Sequence, residues 1–207
     1  MPVRILRLWQ AVPGHAEPLA TALTGLMERL KGAPGVLEAR LFQDRLTVGS
    51  FLGIGVFESE AALLWSGPQA YLAGLAGVEA AHATLPSTLH QLRTFYDYRH
   101  PQRRAEWVTV SQYRVLTEQV EAFPVAYKAF LEDLLGAWDL VAVAFGQTRH
   151  NPTAFFSVME WARADDLARY LASDFRHVKG RARYGAMLEE EPRRFDLAPL
   201  WEYRAAG

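Results

Sequence analysis

Residues 28–33 read Glu-Arg-Leu-Lys-Gly-Ala, and residues 132–137, 104 positions later, read Glu-Asp-Leu-Leu-Gly-Ala. The same offset aligns further identical residues along the two halves: Gln43 with Gln147, Arg45 with Arg149, Phe51 with Phe155, and Leu63 with Leu167. A single offset that holds over most of each half indicates an internal duplication. The 207 residues therefore predict two related domains of about 100 residues each, which is an ordinary domain size.

The two copies meet in a polar stretch at residues 100–105 that contains Pro101. Proline cannot donate to a sheet ladder, so we expect it to end the preceding strand. The prediction is a first repeat at 1–99, a linker at 100–105 and a second repeat at 106–207. The arginines of the join are interpreted as part of a solvated linker, because no aromatic cluster accompanies them.

Composition excludes several classes of protein. Half of the residues are apolar, the formal net charge is −1, and there is no cysteine, which excludes disulfides and thiolate metal sites. A near-neutral chain gives no electrostatic reason to expect a nucleic-acid partner. The apolar stretches fall short of the ~20 residues that span a bilayer, and the start lacks the pattern of a secretory signal. We therefore expect a soluble, cytoplasmic protein with no membrane partner.

Each copy predicts the same order of elements. The first opens with a strand over Val3–Val12, and apolar residues at helical spacing follow from Leu19 to Leu30. Two more strands are predicted over Val36–Gln43 and Ser50–Phe57, followed by a second helix and a last strand. The second copy repeats this pattern, so the order is β-α-β-β-α-β twice.

This order is that of the ferredoxin-like split βαβ arrangement, in which helices cover one face of an antiparallel sheet. The other apolar face of a lone unit would be exposed and must find a partner. The sister repeat is the nearest candidate for the partner that covers this face. The predicted fold class is α+β, a tandem duplication of a ferredoxin-like unit that forms an internal pseudo-dimeric α+β barrel. A further homodimer is possible but not required.

A strand that ends in Met159-Glu160-Trp161 leads into an amphipathic segment from Asp165 to His177. Together with the element order of both halves, this segment resembles the dimeric α+β barrel superfamily, particularly its antibiotic biosynthesis monooxygenase-like branch. The resemblance implies an oxidoreductase: a cofactor-independent monooxygenase-like protein that acts on or binds a small aromatic or hydrophobic molecule. We expect the second repeat to keep the pocket, because Gly67 and Pro68 should interrupt the second helix of the first.

Cofactor-free oxygenation needs a polar group that holds the substrate anion and an apolar pocket that excludes water. Tyr170, Ser173, Asp174 and His177 are spaced so that they share one side of a continuous helix. Each also has a structural interpretation, since the histidine can pair on its own helix and the aromatic residues can pack on the sheet. The predicted site residues are His177 and Tyr170 as catalytic groups, with Trp161, Ser173, Asp174 and Arg114 binding substrate.

Two alternatives remain open. One is a non-catalytic small-ligand-binding or stress-associated module of the same fold. The other is haem binding or haem degradation, since Trp161, Ser173, Asp174 and His177 resemble a string in haem-degrading relatives. His177 comes about one helical turn, ~5.4 Å, earlier than the iron ligand would. The leading hypothesis needs no cofactor.

The sequence carries no His-x-His, His-Glu-x-x-His or clustered carboxylate pattern, so we predict no dedicated metal site. Gly53-Ile54-Gly55 is not interpreted as a phosphate-binding loop, because it falls inside a predicted strand. Glycine at such positions indicates a close approach of another group to the backbone.

Overall fold

The computed structural model describes residues 2–65 and 68–205, without the side chains of residues 65 and 68–70. The first repeat contains strands β1 to β4 and helices α1 to α3. In chain order these are β1 (Val3–Gln10), α1 (Ala16–Met27), β2 (Val36–Asp44), β3 (Ser50–Phe57), α2 (Glu60–Trp65), α3 (Pro68–His82) and β4 (Thr88–Arg99). A short 3-10 turn, Glu28–Leu30, extends α1. Of the residues predicted to interrupt the second helix, Gly67 lies outside the described residues, whereas Pro68 begins α3.

The second repeat follows the same order. Its elements are β5 (Trp107–Arg114), α4 (Phe123–Ala137), β6 (Leu140–Thr148), β7 (Ala154–Trp161), α5 (Ala164–Ala172), α6 (Arg181–Tyr184) and β8 (Arg193–Arg204). A π-helix, Phe175–Gly180, connects α5 to α6. The strands of both repeats begin and end within about two residues of their predicted limits.

The described strands form one antiparallel sheet with the closed order β1-β3-β2-β8-β5-β7-β6-β4. The predicted fold class, a tandem-duplicated α+β barrel, is therefore confirmed. Among the described residues, no helix combines the length and hydropathy that a membrane crossing requires.

Contacts divide the chain into two compact units whose limits differ from those of the repeats. Unit 1 runs to Leu92 and takes in the chain from Leu197, and unit 2 runs from Arg93 to Asp196. Unit 1 thus contains the end of β8, which pairs with β2 from Asp44 opposite Leu197 to Glu38 opposite Arg204. The final strand of the chain completes the sheet of the first unit.

Each unit has its own core between sheet and helices. In unit 1 the buried face of α1 packs against the sheet through Leu19, Leu23, Leu26 and Met27. In unit 2 the same face of α4 carries larger side chains: Phe123, Tyr127, Phe130, Leu131 and Leu134. The repeats therefore share a fold but fill the space under their first helices with different volumes.

A carboxylate with little exposure forms an ion pair with the arginine that ends the last strand of each repeat, Arg99 of β4 and Arg204 of β8. In unit 2, Arg99 donates to Glu160 on β7 at 2.8 and 3.1 Å. In unit 1, Arg204 lies 3.4 Å from Glu38 on β2. Glu160 stands opposite Ala142 in its strand pair, whereas Glu38 stands opposite Val56. The acid therefore lies on the third strand of the second repeat but on the second strand of the first repeat. The last strand of each repeat nevertheless ends in an ion pair with one of these acids.

We predict that Arg99→Met destabilises the protein, because the Glu160 side chain is 2% exposed and loses the positive charge and the two hydrogen bonds of Arg99. The expected loss is about 1–3 kcal/mol, below the ~3–5 kcal/mol of a fully buried pair, because the guanidinium group is partly solvated. Urea denaturation measures it. Arg104→Met, at an exposed position in the linker, is the matched control and should stay within about 0.5 kcal/mol of wild type. Equal losses for the two variants would contradict the assignment.

Candidate functional site

Unit 1 contains a partly open apolar cavity of about 200 Å³ between β1 and β3 on one side and helices α2 and α3 on the other. Its apolar walls are formed mainly by Ile5, Trp9, Met27, Phe57, Leu63 and Leu72. Drug-sized ligands occupy sites of roughly 300–1,000 Å³, so this cavity suits a molecule of one or two rings.

Two glycines of β3 leave room for the cavity. Arg7 and Ile5 of β1 stand directly opposite Gly53 and Gly55. A Cβ atom added to Gly53 would lie 2.9 and 3.0 Å from ring atoms of Trp9, and one added to Gly55 would lie 2.9 Å from Phe57. These distances are shorter than real Cβ contacts, so the aromatic rings use the space that side chains would take. The close approach predicted for Gly53-Ile54-Gly55 is confirmed.

The polar end of the cavity is built around Arg7. Its Nη1 donates to Ser87 Oγ at 2.7 Å and lies 3.9 Å from Glu79 Oε1. The same carboxylate oxygen accepts from Trp9 Nε1 at 2.9 Å and from the backbone N–H of Ser87 at 3.2 Å. Glu79 therefore fixes both the indole and the guanidinium group, and Arg7 places a nearly buried positive charge at the cavity wall.

Tyr71 and Gln91 add polar groups to the lining. Burial raises the pKa of Tyr71 to about 12, against a smaller lowering by Arg7, so its hydroxyl is protonated at neutral pH and can donate a hydrogen bond. Gln91 Nε2 donates to Glu60 Oε1 at 3.3 Å, which links β4 to the start of α2 at the exposed rim.

The corresponding place in unit 2 is filled. The positions of Gly53 and Gly55 are taken by Ser157 and Met159, at the same offset of 104. Tyr113 and Tyr127 join their hydroxyls at 2.6 Å, and Tyr127 donates to Ser157 Oγ at 3.0 Å. All of these side chains are at most 5% exposed. Burial raises the pKa values of both tyrosines. The cluster is therefore uncharged, and its hydrogen-bonded side chains fill the space.

Two of the residues predicted from the sequence are core residues of unit 2. Trp161 is fully buried and donates from Nε1 to Thr109 Oγ1 at 3.1 Å. Tyr170 packs on Trp161 with ring centroids 5.0 Å apart and is 7% exposed. Desolvation raises the pKa of Tyr170 above its ordinary value, and its hydroxyl is therefore protonated at neutral pH.

The other predicted residues lie near the surface. The prediction of one helical face from Tyr170 to His177 is wrong, because α5 ends at Ala172 and Ser173 adopts an extended conformation. Ser173 Oγ donates to the Tyr170 carbonyl at 2.6 Å, and the exposed His177 donates from Nε2 to the Leu171 carbonyl at 3.0 Å. The loss of helix turns these side chains away from a common face.

His177 lines a second, polar cavity of about 370 Å³ in unit 2, together with Arg176, Arg181 and Glu191. Tyr170 does not belong to this lining. Asp174 is exposed at the start of the π-helix. Arg114 is exposed and lies 3.6 Å from Glu190 and 4.0 Å from Glu189. The structure brings Trp161 and Tyr170 together, but it does not gather the predicted set into one site.

The apolar cavity lies in unit 1, whereas the pocket was predicted in the second repeat, where the structure has the polar cavity beside His177. The residues that build the apolar cavity, Arg7, Trp9 and Tyr71, were not singled out from the sequence. The sequence signal for the cavity was the pair of glycines at positions 53 and 55, because residues two positions apart in a strand lie on the same face of the sheet. In the second repeat their replacement by serine and methionine fills that face.

Comparison with known proteins adds two findings. Residues 2–73 match the family model described as antibiotic biosynthesis monooxygenase. No curated protein matches the sequence. The family match lies over the repeat that holds the apolar cavity, and the resemblance inferred from the sequence is confirmed.

Solved structures resemble the whole chain. A candidate monooxygenase of Fusobacterium nucleatum is 13% identical with a TM-score of 0.79, over 100% of this chain and 95% of that one. A second, from Lactobacillus acidophilus, is 12% identical with a TM-score of 0.72, over 98% and 96% of the two chains. An anthrone oxidase-like protein is 14% identical with a TM-score of 0.74, over 100% and 94%. These likenesses establish the fold, while the family match supports a monooxygenase-like, small-molecule-binding role.

We predict that Gly53→Ala destabilises the protein by about 1–3 kcal/mol, because the added methyl group must displace the rigid Trp9 ring. Gly77→Ala is the matched control: the glycine lies in α3 with no atom within 4 Å of the added Cβ, and should stabilise by up to about 1 kcal/mol. Denaturant unfolding measures both. An unchanged free energy of unfolding in Gly53→Ala would contradict the close packing of Trp9 against Gly53.

Proposed function

We propose that the unit 1 cavity binds a small aromatic molecule with an ionisable hydroxyl group and that the protein is a cofactor-independent monooxygenase. The observation that carries the proposal is an apolar cavity ending at Arg7, in the repeat that matches the monooxygenase family model. A small phenol, naphthol or quinol fits this combination of volume, apolar walls and a single cationic end.

Arg7 supplies the electrostatic part of the chemistry. The Arg7 side chain is about one-eighth exposed, and its guanidinium group favours the anionic form of a hydroxyl group placed beside it. An aromatic anion can pass an electron to O₂, and recombination then forms a carbon–oxygen bond. For an aryl-flanked methylene group, CH₂ and O₂ give C=O and H₂O, so the substrate supplies all the electrons.

The apolar walls and Tyr71 supply the rest. The walls exclude water from the reactive intermediate, and the protonated hydroxyl of Tyr71 can donate to an oxygen of the substrate. Glu79 acts through Arg7 and Trp9, which it holds in place. Glu79 is thus a positioning residue in this proposal.

The residues predicted in the second repeat form a second proposal. His177 remains a proposed catalytic group for a ligand of the polar cavity that it lines in unit 2. Tyr170 as a second catalytic group, and Trp161, Ser173, Asp174 and Arg114 as substrate contacts, stay predictions from the sequence, and these residues lie outside the lining of that cavity. For haem, the residue considered as iron ligand is His177, whose Nε2 is engaged by the Leu171 carbonyl. An absorbance titration with haem tests that alternative.

A non-catalytic binding module is the competing function. One observation favours it: within the part of the chain that the structure describes, no histidine, aspartate or glutamate lines the unit 1 cavity. A general base would have to come from solvent or from the substrate itself. Binding without oxygen consumption is the expected behaviour of such a module.

We predict that Leu63→Trp weakens the binding of 1-naphthol at least tenfold, because the indole takes up space in the cavity. Leu37→Trp is the control, since Leu37 is 37% exposed on β2 and does not line the cavity. Isothermal titration calorimetry measures both affinities. An unchanged affinity in Leu63→Trp, with the fold intact by circular dichroism, would place the binding elsewhere.

We predict oxygen consumption by the wild-type protein with 1-naphthol or 1,4-dihydroxynaphthalene, measured at an oxygen electrode. Arg7→Met should lower kcat/KM by about 100-fold, the order lost when one charge-stabilising donor is removed, while Arg7→Lys should keep part of the rate. Arg104→Met should match the wild type. If wild type binds these probes without consuming oxygen, the non-catalytic function replaces the enzymatic one.

A further inference from the structure

The polar cavity of unit 2 contains a cation without a protein partner. Arg176 lies in the π-helix Phe175–Gly180 and lines the cavity. Its side chain is half-buried, and within the described ranges of the chain it makes no hydrogen bond or ion pair. A charge that is partly withdrawn from water is costly unless it is paired, and π-helices are rare elements that often occur at functional sites. Arg176 is therefore placed to receive an anion.

The acids of the same cavity already have cationic partners. Glu191 Oε1 accepts a hydrogen bond from Arg181 Nη2 at 2.7 Å, and Glu190 Oε1 lies 3.6 Å from Arg114 Nε. Among the cavity residues that the structure describes, Arg176 is thus the cation that these pairs leave uncompensated. A ligand that neutralises it must bring a negative charge of its own.

The hydroxyl group of Tyr184 is a second polar group of the cavity lining. It has no hydrogen-bond partner in the part of the chain that the structure describes. Burial raises the pKa of Tyr184 above its ordinary value, so the hydroxyl is protonated at neutral pH and can donate a hydrogen bond. The Tyr184 ring packs edge-on against Phe123 and Phe130, with centroids 5.9 and 5.3 Å apart. This packing fixes the ring before a ligand arrives, which reduces the entropy cost of binding.

A second arginine adds to the positive potential in this part of unit 2. Arg194 of β8 is half-buried, and its Nε atom is buried with no hydrogen-bond partner among the described residues. Burial raises the pKa of Tyr170, and the charges of Arg176 and Arg194 both oppose that rise. The two guanidinium groups therefore lie within electrostatic range of the same tyrosine. An anion bound beside Arg176 would offset the repulsion between these like charges.

We propose that the polar cavity of unit 2 binds a small carboxylate that carries an apolar ring, with benzoate as the simplest example. The carboxylate accepts two parallel N–H groups from the guanidinium of Arg176 and the hydroxyl proton of Tyr184. Leu188 and Pro192 line the same cavity and offer the ring an apolar surface. The volume of about 370 Å³ suits such a molecule. The inference depends neither on the ligand of the unit 1 cavity nor on a catalytic role of His177.

Calorimetric titration of benzoate into the full chain tests the proposal, with benzamide as the uncharged analogue. We expect one benzoate per chain and binding of benzamide that is weaker by about tenfold or more. Arg176→Gln should weaken benzoate binding by about tenfold or more, and Tyr184→Phe by about fivefold. Lys179→Gln is the matched control and should stay within about twofold of wild type. It removes one positive charge from the same π-helix, at an exposed side chain outside the cavity lining.

Urea unfolding of the same variants separates binding from structure. Because the Arg176 guanidinium has no protein partner to lose, Arg176→Gln should leave the urea midpoint unchanged or raise it. A lower midpoint would show that the group has a structural role and would overturn the proposal. So would the absence of benzoate binding by the wild type, equal binding of benzamide, or an equal loss of affinity in Lys179→Gln.

The Leu63→Trp variant separates this site from the unit 1 cavity, whose cationic end is Arg7. Leu63 lines the unit 1 cavity and does not line the polar cavity of unit 2. Leu63→Trp should therefore bind benzoate as wild type does, whether or not it still binds 1-naphthol. A loss of benzoate binding in Leu63→Trp would place the carboxylate beside Arg7 and overturn the proposal.

Discussion

Trp9 lies with its six-membered ring directly against the backbone of Gly53, closer than any side chain at that position would allow. The ring turns its Nε1 to Glu79, which in turn faces Arg7. This one packing contact therefore connects a strand glycine to the charged end of the cavity. The absence of side chains at Gly53 and Gly55 leaves the space that the Trp9 and Phe57 rings of the cavity wall occupy.

The two units illustrate both outcomes of that constraint. Where unit 1 has glycine, unit 2 has Ser157 and Met159, and tyrosine hydroxyls close the space with short hydrogen bonds. These interlocking aromatic rings fill the space that corresponds to the apolar cavity of unit 1. After duplication the repeats kept the anchoring of their last strands and diverged in the region where a ligand could bind.

The sequence was sufficient for the duplication, the element order and the strand limits, because offset identities and hydrophobic periodicity report on local structure and burial. It was not sufficient for the site. The helix through Ser173 was predicted as continuous, yet the chain leaves the helix there and turns His177 away from Tyr170. Whether a repeat has an apolar cavity depends on the summed volume of the side chains on neighbouring strands. The spacing of residues along the sequence does not report that sum.

The location of the ligand is the central claim, and anomalous diffraction from crystals soaked in 4-bromo-1-naphthol tests it most directly. The account predicts a bromine peak inside unit 1, between Gly55 and Tyr71, with the hydroxyl group of the ligand directed to Arg7. A peak in unit 2 beside His177 or the Tyr113–Tyr127 pair, with the unit 1 cavity empty, would contradict it.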